Sequence, residues 1–270
     1  MRTIVHLSDL HFGRVDPALL DPLVAAVGAA RPDVVAVSGD LTQRARNAQF
    51  IEARRFLDRL PTPRIVVPGN HDIPLYDVVR RFASPLRRFR RHITTDSTPS
   101  FRDEEVAIVG INTARSLTFK NGRINAGQVA QVADCFSGLD PEVARIVVTH
   151  HPFDLPSHRE ESDLVGRATM AMRAFAHARV DMFLSGHLHQ THAGSTAARY
   201  RIEGHSALVV QAGTASSTRG RGEENSFNVI RVGRPEITVE VHRWDAATGA
   251  FAQVGASIYR RDESGWSLAS

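Results

Sequence analysis

The 270-residue chain is predicted to be a layered α/β protein. Short apolar runs rich in Val and Ile, bounded by Gly or Pro, read as buried strands. They alternate with segments of helical periodicity through most of the chain. From about Ala197 onward the pattern changes to strand-like pieces joined by Gly-rich turns.

Five apolar runs stand out: TIVHLS, DVVAVS, RIVVP, RIVVT and DMFLS. After the first, Asp21-Pro22 reads as an N-cap with Pro at the first helical position, opening a helix through LVAAVGAA that stops before Pro32. After the second, NAQFIEARRFLDRL puts Phe50, Ala53, Leu57 and Leu60 on one helical face, and Pro61 ends it. Between Leu75 and Ile93, Leu75, Val78, Val79, Phe82, Leu86 and Phe89 recur at helical spacing with arginines between them, and Pro85 should kink or split the helix. This segment is either a core-packed helix with a solvated basic face or a basic cap that attracts anionic substrates or a membrane surface.

Two further helices are expected around Val129 to Phe136 and Met170 to Ala178. In the tail, ALVVQAG, FNVIRVG and EITVEVHRW are expected to pair antiparallel and complete a second sheet packed on the first. One turn there, TASSTRGRGEENS, is long and polar. With no repeat, low-complexity linker or boundary in sight, a single domain over residues 1–270 is expected.

An apolar fraction of 42% and a charged fraction of 23% describe an ordinary soluble protein with length enough for a core. The net charge of +4 is too mild to imply nucleic-acid binding, and an aromatic platform is lacking. Cys135, the single cysteine, excludes an intrachain disulfide and is expected to be a small buried residue. With no leader pattern and no apolar run of spanning length, a cytoplasmic location is expected.

Each apolar run is followed by groups that bind metals: Asp9-Leu10-His11, Gly39-Asp40, Gly69-Asn70-His71-Asp72, His150-His151 and Gly186-His187-Leu188-His189. In an open α/β sheet, ligands collect beyond the carboxyl ends of the strands. Five such ends offering Asp, His and Asn to one crevice read as a two-metal site. Imidazole and carboxylate suit Mn²⁺, Fe²⁺/Fe³⁺ or Zn²⁺, and the lack of thiolate disfavours structural zinc or an iron–sulfur cluster.

The ordered motif set resembles that of the calcineurin-like metallophosphoesterases, and within them the bacterial class III cyclic-nucleotide phosphodiesterases and glycerophosphodiesterases. The resemblance implies a four-layer α/β/β/α sandwich with two mixed sheets. It implies one metal on Asp9, His11, Asp40 and His189, and a second on Asp40, Asn70, His150 and His187, with Asp40 bridging. It makes His71 the group facing the leaving oxygen, with Asp72 orienting that imidazole. His151 is then a loop support and not a ligand.

Such an ion pair, about 3.5–4 Å apart, would hold a hydroxide that attacks a phosphodiester in line. Two dications less two carboxylates and a hydroxide leave about +1 to hold the anion. A cyclic 3′,5′-nucleotide is the first substrate expected, with a glycerophosphodiester or phospholipid-like diester as the alternative. A non-catalytic metal-binding scaffold is the alternative of another class. Leu41-Thr42-Gln43-Arg44 departs from the continuation found in Ser/Thr protein phosphatases. Arg44 and Arg115, just beyond strand ends, and Asn112 in GINTAR either touch substrate or serve structure. Partners are expected to be a small phosphodiester, with peripheral membrane contact allowed and the oligomeric state left open.

Overall fold

The computed structural model describes residues 1–118, 120–156, 159–219 and 222–269. In chain order the strands are β1 (Arg2–Leu7), β2 (Val34–Val37), β3 (Arg64–Val66), β4 (Ser100–Arg102), β5 (Val106–Gly110), β6 (Ala144–Val148) and β7 (Met182–Ser185). They continue as β8 (His192–Ser195), β9 (Leu208–Gln211), β10 (Ser226–Val232), β11 (Glu236–Asp245), β12 (Ala250–Asp262) and β13 (Gly265–Leu268). The helices are α1 (Leu20–Ala29), α2 (Asn47–Leu57), α3 (Val78–Ala83), α4 (Arg87–His92), α5 (Ala126–Phe136) and α6 (Ala168–His177).

Two mixed sheets form, ordered β13-β12-β11-β10-β1-β2-β3 and β4-β5-β6-β7-β9-β8. Their facing surfaces share one core, in which Ile4, Ala36, Ile65 and Ile230 meet Ile108, Ile146, Met182 and Leu184. The opposite face of the first sheet, with Val5, Leu7, Val35 and Val37, packs on Leu23, Val27, Phe50 and Phe56 from α1 and α2. The second sheet turns Val109, Val147 and Phe183 towards Val129, Val132, Met172 and Phe175 of α5 and α6. The result is the expected α/β/β/α sandwich. It explains why the central runs are apolar without alternation: β2, β5, β6 and β7 are buried along their whole length, with helices on one side and a sheet on the other.

Register carries the site. Leu7 pairs with Val37 and Val37 with Val66, so three parallel strands of the first sheet end at one level. In the second, Val148 pairs with Leu184 and Leu184 with Val210. The loops that follow converge from both sheets at one end of the sandwich.

Several expectations need correcting. β10 to β13 do pair antiparallel, but they extend the first sheet, with β10 laid along β1 from Arg2↔Val232 to His6↔Asn228. β10 is almost wholly buried, and a place beside β1 covers both of its faces. Of the tail beyond residue 197, β9 joins the second sheet, parallel to β7. The helix expected from Asp21-Pro22 begins earlier: Asp16 accepts from the Ala18 N–H and Pro17 opens a short 3-10 turn that runs into α1.

Pro85 does split the basic segment, into α3 and α4. Only the α4 half packs as expected, with Phe89 buried, whereas Val78, Val79 and Phe82 are exposed. Cys135 is exposed as well, on the outer face of α5. Gly220 and Arg221 of the long polar turn lie outside the described residues.

Candidate metal centre

The backbone at three of the five loops, those after β1, β2 and β7, is bent into conformations that L-residues rarely adopt. Asp9, His11, Asp40, His187 and His189 all have φ between 51° and 72°. Non-glycine residues held in the left-handed region cost about 1–3 kcal/mol each and cluster at functional sites. Two glycines let the loops close. A Cβ on Gly186 would sit 1.8 Å from Ser8 Oγ and 2.5 Å from Asp9 Oδ2. One on Gly69 would sit 2.2 Å from Asp40 Oδ1.

The side chains brought together are those the motifs named. Asp9, His11, Asp40 and His189 offer donor atoms all within 4.8 Å of one another, as do His150, His151 and His187. The Nε2 atoms of His11 and His189 are 3.2 Å apart, and Asp9 Oδ1 is 3.4 and 3.1 Å from them. Donors about 2.0–2.2 Å from one ion stand about 3.0–3.4 Å apart at octahedral to tetrahedral angles. Asp9 Oδ1 is buried and has no hydrogen-bond partner, which is what a carboxylate oxygen reserved for a cation shows.

A second set lies beside the first. His150 Nε2 is 3.1 Å from Asn70 Oδ1 and 3.4 Å from Asp40 Oδ1, and buried His187 Nε2 has no partner. Asp40 turns Oδ2 towards His11 at 3.7 Å, so one carboxylate faces both sets. The residues therefore fit two cations with a shared aspartate.

Surrounding groups fix the ligands. Asp9 Oδ2 accepts from Ser8 Oγ at 2.7 Å and from the His187 N–H at 3.0 Å, leaving Oδ1 turned inward. His150 Nδ1 donates to the Ser38 carbonyl at 2.8 Å and His189 Nδ1 to that of Arg219 at 3.2 Å, so each presents Nε2 to the centre. From the far end of the chain, Thr214 Oγ1 donates to the Asp9 carbonyl and Ser216 Oγ to that of Leu10.

Charge is concentrated on buried side chains. Burial opposes ionisation of Asp40, but the His150 and His71 imidazoles outweigh it and hold the carboxyl below its usual range. Asp9 is likewise held low, by His189 and His11 against its burial. Burial lowers His150, yet Asp40 pushes it up to about 9. His187, buried and beside His150, is pushed down to about 3. A cation held here would compete with the proton on His150, whereas His187 would meet it neutral.

His71 sits at the mouth, its ring edge-on to His11 with centroids 5.0 Å apart. Its Nδ1 donates to the Gln43 carbonyl at 2.9 Å, and its backbone N–H holds Asp40 Oδ1 at 2.8 Å. Asp72 does not touch the imidazole, contrary to expectation. Its carboxylate accepts from the N–H groups of Leu41, Thr42 and Gly69 and from Thr42 Oγ1, at 2.9–3.1 Å. It ties the loop after β2 to the loop after β3, and burial together with the nearby Asp40 raises it to about 7.

Sequence reasoning missed Arg219, whose Nη1 is 3.0 Å from His71 Nε2. It lies in the polar turn after β9, and no local signal links it to residue 71. His151 has both ring nitrogens engaged, Nε2 donating to the Lys120 carbonyl and Nδ1 accepting from Thr113 Oγ1. Arg115 and Asn112 turn to structure. The Arg115 guanidinium donates to the carbonyls of Asn112 and Ala114 and to Gln128 at the start of α5, while Asn112 Oδ1 accepts from the Ala114 N–H. Arg44 lies near the mouth, its guanidinium 5.7 Å from the centre of the Tyr76 ring.

Comparison with known proteins bears on the fold and the family. Glycerophosphodiester phosphodiesterase GpdQ from Enterobacter lignolyticus (strain SCF1) is 34% identical over 80 residues, 26% of this chain and 29% of that protein. The chain thus matches under a third of that relative's length. A dimetal phosphatase from Danio rerio superposes with a TM-score of 0.61 at 14% identity, covering 94% of this chain and 98% of that one. The purple acid phosphatase PPD1 of yellow lupin gives 0.60 at 13% identity, covering 97% of this chain and 54% of the larger protein. At such identities these two share the fold. The calcineurin-like phosphoesterase family model matches residues 2–191, through all five loops, and the chain belongs to that family.

Proposed function

We propose that this protein is a dinuclear metal-dependent hydrolase of phosphodiesters. One observation carries the reading: two sets of buried donors meet at Asp40, with one oxygen turned to each. Bound cations of the Mn²⁺, Fe²⁺/Fe³⁺ or Zn²⁺ class supply Lewis acidity and positive charge beside the phosphorus. The chain's own residues then do four things. Asp9, His11, Asp40 and His189 hold one ion, and Asp40, Asn70, His150 and His187 hold the other.

His71, fixed through Nδ1 by the Gln43 carbonyl, presents Nε2 towards a leaving oxygen, to which it can pass a proton only after taking one up from solvent once a phosphate oxygen has drawn Arg219 away. Arg219 brings a guanidinium to the same point, where it can bind a phosphate oxygen. Asp72 keeps the two loops in register, so that Asp40 and His71 stay in place.

The similarity to GpdQ supports a glycerophosphodiester as substrate, while the motif resemblance described above supports a cyclic 3′,5′-nucleotide. A scaffold without turnover is the competing reading; the intact donor set and His71 weigh against it. The test is a substrate panel with Mn²⁺-loaded protein, set out as bis(p-nitrophenyl) phosphate, p-nitrophenyl phosphate, cyclic AMP and glycerophosphocholine. Diester hydrolysis above monoester hydrolysis is expected. Preference for the monoester, or bound metal with no turnover on any diester, would overturn the proposal.

A further inference from the structure

The segment after the third loop has a surface that the metal centre does not use. Tyr76, Val78, Val79 and Phe82 are exposed, Val79 to 80%. Leu117, on the loop after β5, is 84% exposed. These are five of the ten large apolar side chains exposed among the described residues. Single exposed apolar residues need no explanation, but a cluster beside a site does.

The cluster is built as one platform. Arg81 is 2% exposed, and its guanidinium donates to the carbonyls of Pro74, Ser116 and Thr118. This ties the tip bearing Leu117 to α3. On α3 itself, Val78, Val79 and Phe82 fall at positions i, i+1 and i+4 and so share a face. Tyr76 lies against Arg44, which follows the Gln43 that fixes His71. The platform therefore borders the mouth of the metal centre.

Charge decides what can cover it. Residues 77–92 carry six arginines and one aspartate, more net positive charge than the +4 of the whole chain. Arg87, Arg90 and Arg91 of α4 are exposed. A second copy of this face would bring like charges together, and an uncharged apolar partner would leave them unmatched. A bilayer with anionic headgroups matches both halves, with headgroups for the arginines and the acyl boundary for Tyr76, Val79, Phe82 and Leu117.

We propose that the α3–α4 segment and the Leu117 tip form a docking surface for an anionic lipid bilayer, which places the metal centre at the membrane. The docking stands whichever diester is cleaved. The test is co-sedimentation of the full chain with vesicles of phosphatidylcholine alone and of phosphatidylcholine with one-third phosphatidylglycerol. Wild-type protein is expected to sediment with the anionic vesicles and to be released by high salt.

The double variant Val79→Glu/Phe82→Glu should bind them at least about 10-fold more weakly, because each change puts a carboxylate into the apolar contact. An Arg87→Glu/Arg90→Glu/Arg91→Glu variant should lose binding to a similar degree. Circular dichroism and metal content should match wild type in both, which keeps the test independent of any hydrolase activity. Wild-type protein that ignores anionic vesicles, or a Val79/Phe82 variant that binds like wild type, would overturn the proposal. So would a concentration-dependent dimer abolished by Val79→Glu, which would assign the face to a second copy.

Discussion

Arg219 Nη1 lies 3.0 Å from His71 Nε2, although 148 residues separate them. A guanidinium can only donate, so Nε2 accepts, and Nδ1 carries the ring's single proton towards Gln43. The imidazole is neutral in this arrangement, in keeping with the lowering that its burial imposes. A phosphate oxygen arriving at the site would compete with Nε2 for the guanidinium and free the ring. Arg219→Ala should raise KM for a diester about 10-fold, the worth of one charge-assisted hydrogen bond. Metal content should not change, because the Arg219 group that holds His189 is its backbone carbonyl. Metal analysis showing loss of an ion would assign the side chain to the ligand shell instead.

His71 itself sets a second expectation. Its backbone N–H, which alanine keeps, holds Asp40, and its ring belongs to neither donor set. His71→Ala should therefore lower kcat by about 10²–10⁴-fold, the usual worth of a positioned proton donor, with both ions retained. An alanine variant that loses metal would move His71 into the ligand set.

Asp72 separates positioning from proton transfer. Asp72→Asn would place an amide NH₂ among four donors that now find carboxylate oxygens. A loss of about 1–3 kcal/mol of stability is expected, seen as a lower thermal midpoint, together with weaker metal binding. A variant as stable as wild type with only kcat reduced would restore a direct role on the imidazole.

Asp40→Ala should strip both ions, whereas His189→Ala should weaken one set alone. Metal stoichiometry by mass spectrometry checks this, and a single lost ion in the Asp40 variant would contradict the shared carboxylate. The distinction rests on Asp40 facing His11 with one oxygen and His150 with the other.

Gly186→Ala tests the closeness of the loops. The added methyl group would have to displace Ser8 Oγ or Asp9 Oδ2. Overpacking of this kind costs about 1–3 kcal/mol, and here it should also reduce metal affinity, read by titration of the metal-free protein. Unchanged affinity would mean that Asp9 tolerates a shift of its Oδ2 partners.

The convergence of the candidate ligands was legible in the sequence because each follows its own apolar run, and parallel strands in register carry such loops to one level. The α/β alternation was legible for the same reason. What escaped depends on contacts that no local pattern encodes. Periodicity showed that Val78, Val79 and Phe82 share a face but could not show whether anything covers it. β10 reads as a strand buried on both faces, a condition that either sheet could satisfy. β12 showed no alternation because, of its 13 residues, only Phe251 and Tyr259 are buried. The Gln43 carbonyl and the Arg219 side chain reach His71 from loops whose sequences look like ordinary polar turns.

The strand that launches Asp9 and His11 lies between β2 and β10. Every candidate ligand therefore leaves the ribosome by residue 189, while one flank of β1 stays open until residues 226–232 emerge. Thr214 and Ser216, which pin the Asp9 loop, also come late. The nascent chain possesses its full complement of chelating groups well before it can hold them in position, so maturation of the centre is deferred towards the end of translation.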